Sequence, residues 1–294
     1  MADLLQLLVS GLTIGSIYGL VAVGFCMVYN TTGVINFAQG EFVMLGGMVA
    51  ASASSGFGWP LFVVVAFAVA SVTLLGLVAE KLTFGLSRKP EVLNLIIVTI
   101  GLAIVIKGGV MMAWGTFPLN LPAFSGEEPL LFLGANVTPQ AVWVVSVSVL
   151  LMAVVGFFMK KSVTGTAMRA TASDRDTACL MGIPVGRLST YSFAAAAGIG
   201  AIAGAIITPI TMTSFDHGTL IGLKGFCAAI IGGMGNIYGG LLGGLILGVM
   251  EAFTAGLGGS GYQDAVAFLI LILLLLFRPS GLLGGTGRER SVKL

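Results

Sequence analysis

The side chains able to do chemistry are few in this chain, and their spacing excludes most catalysis. Its 294 residues include one histidine, His217, and three cysteines, with 12 Asp or Glu and 14 Lys or Arg. A lone histidine rules out HExxH, paired-histidine metal sites and most histidine-based acid–base work. Ser and Thr are numerous, yet no carboxylates are paired at a useful spacing, so no nucleophile constellation emerges. The GxxxxGK[ST] run that cradles phosphates is missing as well. Cys26 and Cys227 lie in apolar runs and Cys179 in a polar stretch, which fits ordinary packing better than a disulfide framework. What remains is the chemistry of binding and passage.

Four charged residues interrupt apolar runs. Glu41 ends the stretch Asn36-Phe37-Ala38-Gln39-Gly40-Glu41. A carboxylate inside a membrane is costly and faces protein or water. With Asn36 it would serve orphan amides at a helix N-terminus, where the dipole favours negative charge; the alternative is that it lines a path. Lys224 and Glu251 flank a glycine corner and are candidates for an ion pair, with snorkelling the other reading for Lys224. Lys107 stands in the middle of a run with no obvious partner. Asp216-His217 reads as a solvated turn.

These residues must be positioned by membrane helices. Hydrophobic residues make up 57% of the chain and charged ones 9%, against about 25% charged in a soluble domain. The net charge of +2 is scattered, unlike the clustered cations of nucleic-acid binding. Apolar segments fall at 4–28, 34–53, 61–79, 92–113, 141–159, 188–210, 220–231, 241–253 and 265–277. The first lacks a basic start and is long enough to span, so it is expected to be a resident helix and not a cleaved signal. The stretch 220–253 is too long for one crossing, and glycines at 232–240 split it into two short helices joined by a corner. Lys81, Arg88 and Lys89, then Lys160, Lys161, Arg169, Arg175 and Arg187, then Arg278, Arg288, Arg290 and Lys293 hold 12 of the 14 cations. Those three regions are expected to be cytoplasmic. The loop 115–140 carries only Glu127 and Glu128. An even number of crossings between Arg187 and Arg278 requires the split. Eight or nine crossings both fit: the N-terminus is outside with nine, and inside if 34–53 is re-entrant.

The fold class is therefore an all-α integral membrane protein with 8–9 transmembrane helices and broken, Gly-rich segments. Helices in lipid associate by close backbone approach, and small residues stand at i, i+4 in Gly11, Gly15 and Gly19, in Ala197, Ala201 and Ala205, and in Gly240, Gly244 and Gly248. Glycine also breaks helices where backbone lines a cavity, which makes 40–47 and 232–244 the expected irregular regions. The translocation-path candidates are Asn36, Gln39, Gly40, Glu41, Gly233, Gly235 and Asn236. The fragments 45–48 and 231–234 are similar, so an inverted repeat stands beside an unrepeated bundle as an organisation.

The loop 160–188 mixes both charge signs. Residues 167–180 are expected to form one short helix exposing Asp174, Arg175 and Asp176, stopped by Gly182-Ile183-Pro184. A solvated loop and a docking helix for a soluble partner are the two readings. Three motifs then carry a resemblance: Asn36-Phe37-Ala38-Gln39-Gly40-Glu41-Phe42 with Met44-Leu45-Gly46; Arg169-Ala170, Asp174, Ala178, Gly182-Ile183 and Arg187-Leu188; and Gly232-Gly233-Met234-Gly235-Asn236 with Gly239 and Gly243-Gly244. With the tail Phe277-Arg278-Pro279-Ser280-Gly281-Leu282-Leu283-Gly284, the chain resembles permease subunits of ABC importers for hydrophobic (branched-chain) amino acids, the LivH type.

The resemblance implies a single transmembrane permease domain over 1–294 in a bacterial cytoplasmic membrane, with a cytoplasmic coupling loop at about 160–188. It implies that Arg169, Ala170, Asp174, Arg175, Ala178 and Gly182 couple the chain to an ATPase. It also implies two ATP-binding subunits, a second permease subunit, a periplasmic binding protein and an amino-acid substrate. No cofactor is expected on this chain, since ATP would be used by the partners. Urea and short-chain amide importers use similar permeases. A self-contained secondary transporter or channel, and a membrane enzyme of lipid metabolism, are the readings from other classes.

Overall fold

The computed structural model describes residues 2–85, 92–126, 128–132 and 134–284. Every apolar segment is helical apart from residues 34–38, which precede the second helix. The chain runs α1 (Ala2–Thr32), α2 (Gln39–Phe57), α3 (Leu61–Glu80) and α4 (Val92–Trp114). A small antiparallel hairpin, β1 (Leu130–Phe132) and β2 (Ala135–Val137), precedes α5 (Pro139–Lys161). Two short helices follow, α6 (Val163–Ser173) and α7 (Arg175–Leu180). The rest is α8 (Val185–Thr211), α9 (His217–Gly232), α10 (Ile237–Gly258) and α11 (Gln263–Phe277). Among the described residues, six helices are long and apolar enough to cross a bilayer: α1, α3, α4, α5, α8 and α10. The apolar helices α9 and α11 are shorter. Although α2 has 19 residues, it is not among the six. It carries Gln39, Glu41 and three serines, which a helix can hold when protein encloses it, and its first half is buried against α8, α9 and α3. Of the charged residues used above, Arg88, Lys89, Glu127, Arg288, Arg290 and Lys293 lie outside the described residues.

Backbone contact organises the bundle around α1. A Cβ on Gly11 would lie 2.7 Å from Val249 Cα, and one on Gly15 would lie 2.8 Å from the Gly244 carbonyl oxygen. From the other side, Gly244 and Gly248 of α10 meet the backbone of Gly19 and Gly15. The glycines of the two helices thus interlock, with the Leu241 side chain over Gly19 and Ala252 Cβ beside Gly11. The small face of α8 does the same for two neighbours: Gly46 of α2 lies on the backbone of Ala201, and Gly76 of α3 lies on Ala197. These stripes are the ones the spacing singles out.

Both ends of the bundle are fixed by polar contacts. Gln6 exchanges two hydrogen bonds with the backbone of Asn136 in β2, at 2.8 and 3.0 Å, and Leu119 pairs with Thr213. At the opposite end, Asn30 donates to the Gly235 carbonyl at 2.8 Å. The α9–α10 corner there is confined to residues 233–236, where Gly233 (φ 104°) and Gly235 (φ 92°) adopt the left-handed backbone that only glycine takes without strain.

Two expectations are corrected. The stretch 40–47 is regular helix, because its glycines serve close packing on α8 and α9 and not a break. The irregular backbone lies just before it, at 33–38. Only 233–236 is irregular in 232–244, so α10 is a full 22-residue helix and not a short one. The hairpin at 130–137 carried no alternation strong enough to announce it.

Away from these breaks, the Lys224 ammonium of α9 pairs with Glu251 of α10 and, at 2.8 Å, with Asp264 of α11. It also lies 5.7 Å over the Tyr18 ring of α1. One cation thereby joins four helices. Glu251 is buried and Asp264 exposed, so removal of the cation strands mainly Glu251. Lys224→Met should lower stability by about 3–5 kcal/mol, and adding Glu251→Gln should restore most of it; equilibrium unfolding in detergent measures both. Gly244→Leu should cost about 1–3 kcal/mol or more by overpacking α1. Gly101→Ala, where a Cβ meets open space, should stay within about 0.5 kcal/mol.

Candidate functional site

The irregular stretch at 33–38, a bend and a turn, is what builds the site. After α1 ends, the chain turns back beside it, and α2 begins where Gln39 packs against Gly24. Gly24 lies eight residues before Thr32, so α2 starts about 12 Å inside the bundle. Thr99 of α4 holds this segment: its hydroxyl accepts from Phe37 N at 3.3 Å and lies 3.4 Å from Ile35 O, while it donates to Ile96 O of its own helix at 2.8 Å. The first turn of α9 arrives at the same level: Gly40 has Gly218 and Gly222 directly against its backbone. Two helix N-termini therefore meet deep in the bundle.

A cavity of about 390 Å³ opens there between α4 and α9. Phe25, Ile100, Ile104 and Leu223 form apolar walls, and Glu41, Thr219 and Lys107 supply the polar groups. Thr219 Oγ1 donates to Glu41 Oε1 at 3.1 Å and accepts from Lys107 Nζ at 3.4 Å. Lys107 Nζ also lies 5.7 Å from the Phe215 ring centroid. Glu41 is 3% exposed, and its Oε2 is buried without a hydrogen-bond partner, against Gly218. The positive ends of α2 and α9 and the nearby ammonium offset the cost of that carboxylate.

This arrangement revises the reading of Glu41 as a cap. The residue preceding α2, Ala38, makes no side-chain cap, and Asn36 Oδ1 instead accepts from Ala38 N at 3.1 Å. Lys107, without a visible partner in the sequence, finds one 112 residues away. Thr219 was missed altogether, since a threonine in an apolar run gives no signal by itself. Asp216 is exposed while His217 is half-buried; the Ser214 hydroxyl, 2.6 Å from Asp216, holds that carboxyl below its usual range.

The candidate path residues fall in two groups. Asn36, Gln39, Gly40 and Glu41 gather at the start of α2, but only Glu41 lines the cavity. Gln39 is a pin between helices, donating to Ala196 O of α8 at 3.0 Å. Gly233, Gly235 and Asn236 lie apart, at the far end of α1. There the Asn236 side chain caps α10 by accepting from Gly239 N at 3.1 Å and donates to Leu283 O at 2.9 Å.

The 160–188 segment is two helices and not one. Asp174 divides them because its carboxylate competes for backbone amides. Its Oδ1 accepts from Asp176 N at 3.0 Å and Thr177 N at 3.1 Å, and its Oδ2 accepts from the Thr177 hydroxyl at 2.6 Å. The Thr177 hydroxyl is the chief reason the Asp174 carboxyl is held below its usual range. Arg175 donates to Thr32 O, at the end of α1, at 3.0 Å. Ala178 is buried beneath α7, and Gly182 (φ 80°) makes the exit turn. Arg169 and Ala170 face outward on α6, Arg169 donating to Thr166 Oγ1 at 3.3 Å. Leu180 and Met181 at the tip are 88% and 78% exposed.

Residues 7–275 match the family model described as the branched-chain amino acid transport system, permease component. The chain is 36% identical over 295 residues to the high-affinity branched-chain amino acid transport system permease protein BraD of Pseudomonas aeruginosa, covering 95% of each. It is 35% identical over 296 residues to LivH of Escherichia coli K12, again covering 95% of each. In fold it is similar to the structure of PsaBC from Streptococcus pneumoniae in complex with Fab, at a TM-score of 0.50 and 13% identity, over 100% of this chain and 96% of the other. The chain is a multi-pass membrane protein and a member of the branched-chain amino acid transport permease family.

Proposed function

We propose that this chain is the membrane permease of an ABC importer that carries branched-chain amino acids into the cytoplasm, and that separate subunits hydrolyse the ATP. BraD and LivH carry that transport function in their names, and the likeness runs nearly end to end. The single observation that favours the mechanism is that α1 belongs to both candidate regions. Thr32 at its end receives Arg175, and two turns earlier Phe25 forms part of the cavity wall. A push on α7 is thereby delivered to the helix beside the cavity.

The α6–α7 pair suits docking on an ATPase. Its outer tip presents Leu180 and Met181 to water, an apolar patch that a partner would cover. The inner side rests on the bundle through Met168 and Ala178. On this reading Arg169, Ala170, Asp174, Arg175, Ala178 and Gly182 belong to the coupling segment, which faces the cytoplasm. The cavity opens sideways between α4 and α9, where Ile100, Ile104 and Leu223 are exposed, and a second permease subunit would close it. A periplasmic binding protein would deliver the amino acid at the hairpin end. The whole chain acts as one permease domain, with no cofactor of its own.

The test is ATP-driven leucine uptake by the reconstituted assembly. Arg175→Ala should leave the subunits associated and hydrolysing ATP while uptake per ATP falls severalfold. Uptake by this polypeptide alone under an ion gradient, or an unchanged ratio in the variant, overturns the reading. Asp174→Ala should speed amide exchange at Asp176 and Thr177. Because folding lowers the Asp174 pKa, its cap is present above the unfolded value of about 3.9 and is lost only as pH falls through the lower folded value. Exchange protection at those two amides should therefore be flat across about pH 6 to 8 in the native chain.

A further inference from the structure

Charges inside a membrane are retained where they pair or where they are used. Among the described residues, the ion pairs are those of Lys224 alone. Glu41 and Lys107 are the other buried or half-buried opposite charges within reach of each other, yet they do not pair directly. A single hydroxyl, Thr219 Oγ1, stands between them, and its bond to Lys107 is long at 3.4 Å. Glu41 keeps a buried carboxylate oxygen with no donor. The site thus holds one unfilled acceptor and one weakly engaged ammonium, one hydroxyl apart, beside an apolar wall.

An α-amino acid has the complementary layout. Its ammonium and carboxylate sit on one carbon, and the side chain leaves from the same carbon. We propose that the cavity grips both ends of an amino-acid zwitterion: Glu41 takes the ammonium, Lys107 takes the carboxylate, and Ile100, Ile104 and Leu223 receive an aliphatic side chain. The inference rests on the permease reading and assigns the groups that would recognise its cargo within the membrane. Binding replaces both bonds of the Thr219 hydroxyl: the ammonium donates to Glu41 in its place, Lys107 donates to the incoming carboxylate, and the released hydroxyl proton turns to that carboxylate as well. A cavity of about 390 Å³ falls in the usual range for small-molecule sites of about 300–1,000 Å³. Both ends of the zwitterion are satisfied together, so a compound lacking either end leaves one buried charge without its counterpart.

The experiment uses the assembled transporter in nanodiscs without its binding protein and three radiolabelled probes of one hydrocarbon outline: leucine, isocaproate (no amino group) and isoamylamine (no carboxylate). Binding is read by scintillation proximity. Glu41→Gln should weaken leucine and isoamylamine by at least about tenfold and leave isocaproate unchanged. Lys107→Met should weaken leucine and isocaproate by a similar factor and leave isoamylamine unchanged. Glu41→Asp, which keeps the charge but withdraws it, should retain the preference for leucine over isocaproate at lower affinity, and it serves if Glu41→Gln does not assemble. Equal losses for all three probes, no loss for any, or a native assembly that binds none overturns the assignment. Failure of the importer reading looks different: ATP with binding protein drives no leucine accumulation, whatever the crossed pattern of the variants.

Discussion

Close approach of α1 and α10 along bare glycine backbone is the constraint from which the rest of the molecule follows. Lipid tails give no hydrophobic drive for one helix to prefer another, so a central helix must be chosen by shape. Gly11, Gly15 and Gly19 fit against Gly244 and Gly248, and Gly240 of α10 continues the contact against Ala22. Once α1 is placed, Phe25 stands at the cavity, Asn30 reaches the α9–α10 corner, and Thr32 presents its carbonyl to Arg175. The packing contacts, the cavity wall and the contact with α7 share one axis because one helix carries all three.

Two polar clusters within the bundle are treated in opposite ways. Around Lys224 the charges touch, and four helices are tied together. Around Thr219 the charges stay apart, one oxygen is unfilled, and the space beside them is open. The half-helix geometry accounts for the second case. A chain that re-enters the bundle as irregular backbone and starts α2 part-way along places a helix N-terminus where a full helix would have only closed hydrogen bonds. A carboxylate is tolerated at that point for reasons that do not require a salt bridge.

The parts legible in the sequence are those governed by local pattern. Apolar runs fix the helices to within a few residues, the glycine and alanine stripes identify the contacting faces, and the count of basic loops demands a corner between α9 and α10. The parts that escaped depend on distant partners. Glu41 looked like a cap because its own helix begins nearby, while its actual partner, Thr219, is 178 residues away. Lys107 looked isolated for the same reason. The misjudged helix at 167–180 is a different failure: the Asp174 side chain outcompeted helix continuation, a local signal outweighed by the alanines around it. The glycines at 40–47 read as breaks in the sequence, which does not say whether a glycine is present for its torsion angles or for its missing Cβ.

The chain beyond α11 folds back to the corner. Leu282 N donates to Ile231 O at 2.8 Å and Leu283 N to Gly232 O at 3.0 Å, filling carbonyls that the end of α9 leaves open. Those donors leave the ribosome about fifty residues after the carbonyls they serve. During synthesis the end of α9 stays unsealed until the segment after α11 has been made. The corner is thus sealed by a segment that is made after both α10 and α11, so it closes only once those two helices exist.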